Sequence, residues 1–445
     1  MLLQQALTPA AAAAPPPVIK DAAAAIVISV EDGRVLYELN PDMRVYPASL
    51  TKMMTGALAV EAGGLDRVVT ITRAAEETPE TGLDLEMGER LCLRDLVRGA
   101  LVWSANDACT AVAEAVGGSV PQFVARMNRQ AAAWGAVGTH FANPHGLHSA
   151  NHYSTARDLA MIAAHAMRLP EFRHIVATKS IVLSRPIHEP PAAKGAKVPA
   201  AVGPKVRKYS NRVFTNRNRL LLRWAACDGV KTGYTHPAGR CLVASATRGG
   251  WRALAVVMKA QDPWADCRNL LEWALGSFEM REVAKKGQPL GRVEVHDGEA
   301  RDVAVAAGAS LRTLVRRGGA RPVARLNAGV IRAPVRAGER VGTVEVLDGA
   351  SVCDKVALVT CEEVGLSAWG QLKHLALPNV LGQGILFLAA GVLLLGTAAK
   401  ATGTRRSVFQ ARRREAHPRG ARGGERAGRV RVGDQGRRRD VRDRG

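Results

Sequence analysis

The chain has 445 residues, 47% of them hydrophobic, and a formal net charge of +22. This length and composition allow two or three domains with their own cores and exclude a wholly disordered protein. Its seven cysteines form no CxxC pair and none has a histidine at metal-ligand spacing, so the sequence predicts neither a zinc site nor a redox motif.

The N-terminal segment, residues 1–21, has the character of a secretory leader. Its alanine run reaches Ala14 and provides small residues for a cleavage zone, and a proline-rich spacer follows. A basic start and an apolar middle are missing. The segment therefore predicts either a signal sequence whose start lies further upstream or export by another route.

Residues 22–277 combine strand and helix patterns. Alternating apolar residues on both sides of Asp32-Gly33 predict a hairpin, and the stretch after Pro47 predicts a helix. Further helical runs follow, and after Ala177 the pattern changes to strands that end in one last helix. Strands, many helices, strands and a helix in this order predict an α+β domain with an antiparallel sheet.

Residues 278–365 have a different pattern. Short alternating runs such as GRVEVHDGE and KVALVTC are separated by Gly and Asp turns. They predict a small all-β domain, and no group of polar residues in it suggests catalysis.

The C-terminal part predicts membrane attachment. After a linker at 366–379, residues 380–399 carry no charge and have the length of a transmembrane helix. Residues 400–445 form an Arg-rich tail, predicted to be disordered, with 15 arginines and 5 acidic residues from Arg405 onward. The positive-inside rule places this tail in the cytoplasm and the preceding domains outside the cell membrane. Contact with anionic lipid is favoured over nucleic acid, because no aromatic residues are interleaved for base stacking.

The first string with chemical content is Ser49-Leu50-Thr51-Lys52, at the start of a predicted helix. Residues three apart lie on one helical face, so the Lys52 amine should lie beside the Ser49 hydroxyl. A lysine whose pKa is lowered by burial and by neighbouring cations can activate a serine. The pattern also arises by chance in chains of this length, so it decides nothing alone.

The second string is Ser104-Ala105-Asn106, in the break between two helical runs. A loop there can present both polar side chains to a cleft, with Ser104 relaying a proton and Asn106 holding a substrate amide. Taken in isolation, Asn106 is better explained as an ordinary helix N-cap.

The third string is Lys231-Thr232-Gly233, followed by Tyr234, on a predicted strand. A strand edge can align an extended peptide, while the charge of Lys231 and the hydroxyl of Thr232 can bind a terminal carboxylate. Gly233 would remove a side chain where the substrate comes close. An ordinary strand with an incidental Lys and Thr is the alternative for this string alone.

Together, the order SxxK, SxN and KTG resembles the signature of penicillin-recognising serine enzymes. Further strings, among them WSANDACTAVAEAVGGS, TNRNRLL and GVKTGYTHPAGRCLVASA, resemble the D-alanyl-D-alanine carboxypeptidases, a class of low-molecular-weight penicillin-binding proteins. The resemblance covers roughly residues 22–363. It implies a penicillin-binding, β-lactamase-like serine transpeptidase fold, an antiparallel sheet with a helical subdomain, followed by the small β domain. The loop at 189–208 resembles an insertion, and the Arg-rich tail has no counterpart in this family.

The resemblance also implies catalytic roles. Ser49 would be the acylated nucleophile and Lys52 its general base, while Ser104 and Asn106 would assist proton transfer and substrate binding. No cofactor and no metal would take part.

The same resemblance implies binding roles on the strand. Lys231, Thr232 and Gly233 would bind the terminal D-alanine of a peptidoglycan stem peptide, with β-lactams as inhibitors at the same place. The backbone N–H groups of Ser49 and Tyr234 would form the oxyanion hole.

Histidines at positions 140, 145, 148 and 152 cluster in the sequence. No acidic residue stands at ligand spacing, so they do not predict a metal site. His145 and Gly146 are interpreted as shaping a loop near the cleft.

Three other functions remain open. A β-lactamase would need an added carboxylate for deacylation, and no Glu-x-x-Leu-Asn string occurs between Asn106 and Lys231. A β-lactam sensor or wall-binding scaffold would share the motifs but not the turnover. Transpeptidase or endopeptidase action would share the same acyl-enzyme, so sequence does not separate it from carboxypeptidase action.

Overall fold

A computed structural model describes residues 15–188, 206–319, 322–348 and 351–373. The predicted membrane helix at 380–399, the tail at 400–445 and most of the loop at 189–208 lie outside these residues. Within the described residues, no helix is both long and apolar enough to cross a membrane.

The strands alternate with helices only in part, as the sequence pattern predicted. In chain order the strands are β1 Ala24–Ser29, β2 Val35–Leu39, β3 Val68–Thr70, β4 Arg90–Cys92, β5 Ser180–His188, β6 Val206–Thr215, β7 Cys227–Thr235, β8 Gly239–Arg248, β9 Trp251–Ala260, β10 Phe278–Ala284, β11 Pro289–His296, β12 Asp302–Ala307, β13 Leu311–Arg316, β14 Val323–Ala328, β15 Ile331–Arg332, β16 Arg340–Asp348 and β17 Ser351–Thr360.

Most of the helices lie between β2 and β5, around the short strands β3 and β4, and the last helix closes the first domain. They are α1 Lys52–Ala62, α2 Arg73–Glu76, α3 Leu93–Arg98, α4 Asn106–Gly117, α5 Val120–Ala133, α6 Ala156–Arg168, α7 Pro170–Val176, α8 Arg219–Arg223 and α9 Pro263–Ser277. A 3-10 turn, Ala48–Thr51, leads into α1, and a π-helical turn, Gly99–Trp103, follows α3.

The main sheet is antiparallel with the strand order β2-β1-β9-β8-β7. Strand β1 is buried along its whole length, because α6 covers one face of the sheet and α9 the other. Alternate residues of the strand therefore enter different cores: Ile26 packs with the helical subdomain, and Val27 packs with α9. Strand β7, which carries Lys231-Thr232-Gly233, lies at the edge of this sheet.

The helical subdomain packs around α1 and α4. Met53, Met54 and Leu58 of α1 are fully buried against α4 residues such as Val112. Asp107 holds the segment before β4 against α4, because its carboxylate accepts hydrogen bonds from the backbone N–H groups of Leu83 and Leu85. The subdomain thereby fixes the first turn of α4, where the second motif lies.

The C-terminal β domain is built on the sheet order β14-β16-β17-β12-β11-β15, with β10 and β13 as a separate pair. Its core is made of short apolar side chains such as Val303, Val344 and Leu358. Contact with the first domain is direct: Leu314 packs in the core beside α9, and Arg34 donates to the carbonyl oxygen of Leu314 at 2.7 Å. The predicted fold class of the two domains, an α+β domain followed by an all-β domain, is confirmed.

The sequence pattern missed strand β6. This strand follows the Pro/Ala/Lys-rich loop and is rich in charged residues, so no alternation stood out. It pairs antiparallel with β5, and Val213 is mostly exposed whereas Phe214 is buried. The hairpin therefore buries one face only, and its exposed face also carries valines, so no clear alternation marked the strand.

Candidate active site

The Ser49 side chain lies on the 3-10 turn that precedes α1, one turn before Lys52. Lys52 Nζ lies 2.9 Å from Ser49 Oγ, which confirms the predicted juxtaposition on one helical face. Ala48, directly before the serine, has a φ of 47°, a conformation that non-glycine residues rarely adopt. Such strain persists only where surrounding contacts fix the backbone, and two sets of contacts do so here.

The first set runs through His152. The Ala142 N–H donates to His152 Nδ1 at 3.1 Å, so the proton of the ring lies on Nε2 and faces Thr51 Oγ1 at 2.7 Å. Thr51 Oγ1 in turn donates to the carbonyl oxygen of Ala48 at 2.8 Å. Burial lowers the pKa of His152 to about 4, so the ring stays neutral and keeps this tautomer at ordinary pH.

The second set is the loop at 143–147, which lies against the same turn. Asn143 shapes this loop by accepting from the Gly146 N–H at 2.7 Å and donating to the Leu147 carbonyl oxygen at 2.8 Å. Gly146 has a φ of 92°, and a Cβ built on it would lie 1.9 Å from Ala48 O. Only glycine permits this approach, so the interpretation of His145-Gly146 as a loop near the cleft is confirmed.

Lys52 is fully buried, and its ammonium has three acceptors. They are Ser49 Oγ at 2.9 Å, Asn106 Oδ1 at 2.7 Å and the His145 carbonyl oxygen at 2.6 Å. These acceptors match the three donors of an ammonium group, so the charged form is fully hydrogen-bonded. When the amine loses a proton, Ser49 can donate to the nitrogen in place of accepting from it.

The pKa of Lys52 falls to about 8, chiefly because burial disfavours the charged form. Roughly a tenth of the molecules therefore carry a neutral amine at pH 7, whereas an ordinary exposed lysine would be almost wholly charged. A base whose pKa lies near the working pH is suited to accept a proton from a serine.

The second motif lies on both sides of the start of α4. Ser104 has a φ of 75° and lines the cleft, and its hydroxyl forms no hydrogen bond to any described residue. Asn106 is the first residue of α4 and does not cap the helix. Its amide instead accepts from Lys52 and donates to the Pro79 carbonyl oxygen at 2.9 Å. The structure therefore places Asn106 as a partner of Lys52, and one N–H of its amide is left for a substrate.

The third motif lies on the edge strand β7, beside the nucleophile turn. A Cβ built on Gly233 would lie 3.0 Å from Pro47 O and 3.3 Å from Leu50 N. The interpretation that this glycine makes room for a substrate is thus incomplete, because the space is needed by the chain's own turn. The close approach brings the backbone of β7 next to the nucleophile turn, and Ser49 and Tyr234 line the same cleft.

Lys231 is buried beside Lys52, while Thr232 lines the cleft. Lys231 Nζ donates to the Thr232 carbonyl oxygen at 3.2 Å and forms no ion pair with a described carboxylate. Burial, followed by the charge of Lys52, lowers its pKa well below the usual range for lysine. A buried amine without an anionic partner is a favourable place for a ligand carboxylate.

The cleft at these motifs has a volume of about 740 Å³. Its walls include Ser49, Ser104, Thr232 and Tyr234, whose side chain is 63% exposed. No group of three or more His, Cys, Asp or Glu residues within the described ranges is arranged to hold a metal ion.

Sequence reasoning missed four charged residues that line the cleft, namely Glu80, Arg217, Arg219 and Arg240. Arg217 packs its guanidinium over the Trp103 ring at 4.1 Å and donates to the Trp103 carbonyl oxygen at 2.9 Å. Isolated charged residues carry no pattern, and the strings TNRNRLL and GVKTGYTHPAGRCLVASA contain three of them without indicating a role.

Two family models match the chain. One, described as D-alanyl-D-alanine carboxypeptidase, matches residues 10–262, and the other, described as the C-terminal domain of penicillin-binding protein 5, matches residues 278–365. The chain is 31% identical over 332 residues to the D-alanyl-D-alanine carboxypeptidase DacF of Bacillus subtilis, covering 72% of this chain and 79% of the relative. It is 34% identical over 298 residues to DacA of Haemophilus influenzae, covering 63% of this chain and 69% of the relative.

Solved structures of similar proteins superpose on the chain. Penicillin-binding protein 5 from Haemophilus influenzae superposes with a TM-score of 0.63 at 31% identity, over 79% of this chain and 99% of that one. A mutant of a Streptomyces DD-transpeptidase superposes with a TM-score of 0.51 at 28% identity, over 58% of this chain and 98% of that one.

The buried Lys52 predicts a defined pH dependence for acylation of Ser49. Since only the neutral amine can accept the serine proton, the rate constant for acylation by a fluorescent penicillin should rise about tenfold per pH unit below pH 7 and level off above about 8. Stopped-flow measurements from pH 5.5 to 9.5 test this. Lys52→Arg, whose guanidinium stays charged, should acylate at least about a thousandfold more slowly. A rate that does not change between pH 6 and 9 would refute the role of Lys52.

Gly146→Ala should displace the nucleophile turn. Its Cβ would overlap the Ala48 carbonyl group and its φ would be strained, so we expect a loss of about 2–5 kcal/mol in the free energy of unfolding. Acylation of Ser49 should slow by at least about a hundredfold. Gly249→Ala is the matched control, since Gly249 also has a positive φ, 61°, but no atom within 4 Å of the added Cβ. Equal effects of the two substitutions on acylation would contradict the assignment.

Proposed function

The chain belongs to the family of D-alanyl-D-alanine carboxypeptidases, and on this basis we propose that it removes the terminal D-alanine from peptidoglycan stem peptides through an acyl-enzyme on Ser49. The observation that carries the assignment of the nucleophile is the 2.9 Å contact between Ser49 Oγ and a fully buried lysine amine. The family relationship supplies the substrate class. The position of the Lys52 amine beside the Ser49 hydroxyl explains how the serine is activated in the first step.

Acylation begins when Ser49 Oγ attacks the carbonyl carbon of the penultimate D-alanine. Its proton passes to the neutral Lys52 amine, and the carbonyl oxygen becomes an oxyanion held by the backbone N–H groups of Ser49 and Tyr234. The C–N bond then breaks, and the leaving D-alanine takes a proton delivered from Lys52 by way of the Ser104 hydroxyl. Water next attacks the ester and gives a proton to Lys52. The bond between the acyl carbon and Ser49 Oγ then breaks, Lys52 returns the proton to Ser49 Oγ, and the shortened peptide is released.

Substrate binding follows from the edge position of β7. The extended end of the peptide lies along this strand, and its terminal carboxylate meets Lys231 and Thr232. Lys231 lacks an anionic partner in the described part of the chain, so the carboxylate completes its charge balance. A β-lactam carries a carboxylate next to its strained amide and would occupy the same place.

The decisive experiment measures the intact mass of the full chain with a penicillin, together with D-alanine release from a diacyl-D-Ala-D-Ala peptide. One adduct per chain, absent from Ser49→Ala, with D-alanine released by the wild type, is expected. The released D-alanine separates carboxypeptidase action from a sensor, which would keep the adduct and release none.

Two results would contradict the proposal. The absence of any adduct would remove Ser49 as the nucleophile. D-alanine release that requires an added amine acceptor, with the peptide joined to that acceptor and little hydrolysed peptide, would favour a transpeptidase, the activity in the name of the Streptomyces relative.

We also propose that the enzyme is attached to the cell membrane by residues 380–399, with its catalytic domain outside and the Arg-rich tail inside. The support is the uncharged stretch of twenty residues and the 15 arginines that follow it. The full chain should sediment with membranes and resist alkaline extraction, whereas a chain ending at residue 373 should not. Recovery of the full chain in the soluble fraction would overturn this proposal.

A further inference from the structure

Beside the catalytic cleft lies a second cavity, the basic groove. It has a volume of about 690 Å³ and lies along the facing sides of α8 and α9. Its arginines are Arg219, Arg223, Arg240 and Arg268, and its two acidic residues are Asp262 and Glu272. Both cavities have the volume of ordinary small-ligand sites.

The basic groove is continuous with the catalytic cleft. Arg219, Arg240 and Trp264 line both cavities, so they form the wall between them and the passage from one to the other. Arg240 stands opposite Tyr234 in the pairing of β7 with β8, next to the strand edge where the peptide lies. Whatever binds in the groove is therefore in reach of a molecule that is held at Ser49.

The acidic residues of the groove are already engaged. Asp262 caps α9 by accepting from the N–H groups of Trp264 and Ala265, at 3.2 and 3.1 Å. Glu272 pairs with Arg268 at 2.9 Å. Four arginines thus share the groove with two carboxylates, one of which is already paired with Arg268, so the groove keeps an excess of positive charge.

Arg219, Arg223 and Arg240 form no ion pair with any described residue. Arg240 donates one hydrogen bond to the Gln261 carbonyl oxygen at 2.9 Å, and the Arg219 guanidinium lies over the Trp264 ring, 5.2 Å from its centre. Most of their donors are thus free to meet a ligand. A guanidinium stacked on an aromatic ring is held in one orientation, which favours binding of a planar carboxylate.

Trp264 adds a second and independent sign of a ligand. Its indole Nε1 is buried and has no hydrogen-bond acceptor among the described residues, and no other buried side-chain polar atom among them is in this position. A buried donor without an acceptor is costly, and protein structures rarely keep one without a reason. The indole N–H lies in the plane of the ring, so a carboxylate bound beside Arg219 would have to reach the edge of this ring to accept from it.

We propose that the basic groove is a substrate subsite, which binds a free carboxylate on the stem peptide whose D-Ala-D-Ala end lies at Ser49. The inference rests on the proposed function. The terminal carboxylate of the peptide is assigned to Lys231 and Thr232, so Arg219 and Arg240 take a different one, from a residue further along the peptide. The groove thereby makes the enzyme selective for stem peptides with a free carboxylate over their amidated forms.

The test uses pairs of pentapeptides that end in D-Ala-D-Ala and the full chain in detergent. In one pair the second residue carries either a free carboxylate or the corresponding carboxamide, and in another pair the side chain of the third residue carries this difference. The measured quantity is the ratio of kcat/KM for D-alanine release within a pair. We expect a preference for the carboxylate of roughly five- to tenfold in at least one pair, decreasing as salt is raised.

The doubly substituted chain Arg219→Gln with Arg240→Gln should lower this ratio to about one. Arg219→Lys with Arg240→Lys keeps the charge but removes the planar, stacked donors, so it should retain only part of the preference. Arg248→Gln is the matched control, because Arg248 lies on the same strand β8 at its opposite end and should leave the ratio unchanged.

The outcomes separate the two proposals. D-alanine release at equal rates from both members of each pair, or a preference that survives the glutamine substitutions, overturns the subsite while the carboxypeptidase function stands. Failure of the wild type to release D-alanine from any peptide overturns the proposed function, and the subsite with it.

Discussion

The burial of the Lys52 amine is the constraint on which the catalytic centre depends. A lysine without water must find its hydrogen-bond acceptors in the protein, and three segments of the chain supply one each: the nucleophile turn, the start of α4 and the loop before α6. The same burial lowers the pKa to about 8 and so makes the amine a usable base. The contacts that satisfy the charged lysine are therefore also those that bring the serine, Asn106 and the His145 loop together.

Close packing around this centre fixes the backbone conformation of the nucleophile turn. At two glycines, Gly146 and Gly233, the backbone comes close to the nucleophile turn. The neutral His152 also stabilises this turn, through its hydrogen bond with Thr51. Each contact is small, but together they maintain a positive φ at Ala48 that the isolated turn would not keep. Precise placement of a nucleophile requires this kind of support from residues that never touch the substrate.

The sequence predicted some parts of this arrangement and not others, for physical reasons. The Ser49–Lys52 contact follows from helical periodicity, and the two-domain division follows from a change in alternation, so both could be predicted locally. The positions of Ser104 and Thr232 in the same cleft came from the family resemblance, because spacings of many tens of residues do not define a geometry. The Thr51–His152 bond joins residues 101 apart, and the groove arginines look like any surface arginine in the sequence. Such features depend on tertiary packing alone.

The residues of the site are far apart in the sequence, and this affects when the site becomes active during folding. The nucleophile turn lies in the first strand–helix connection, while the edge strand that completes the site is formed by residues 227–235 and is held in the sheet by β8 and β9, which follow it. Contacts between such distant segments form late, because loop closure must precede them. A newly made chain cannot carry a reactive serine until nearly the whole first domain has condensed. The number of chains that can be labelled covalently at this serine is therefore the number of chains that have folded. After dilution from denaturant, the time course of labelling would follow the last step of folding.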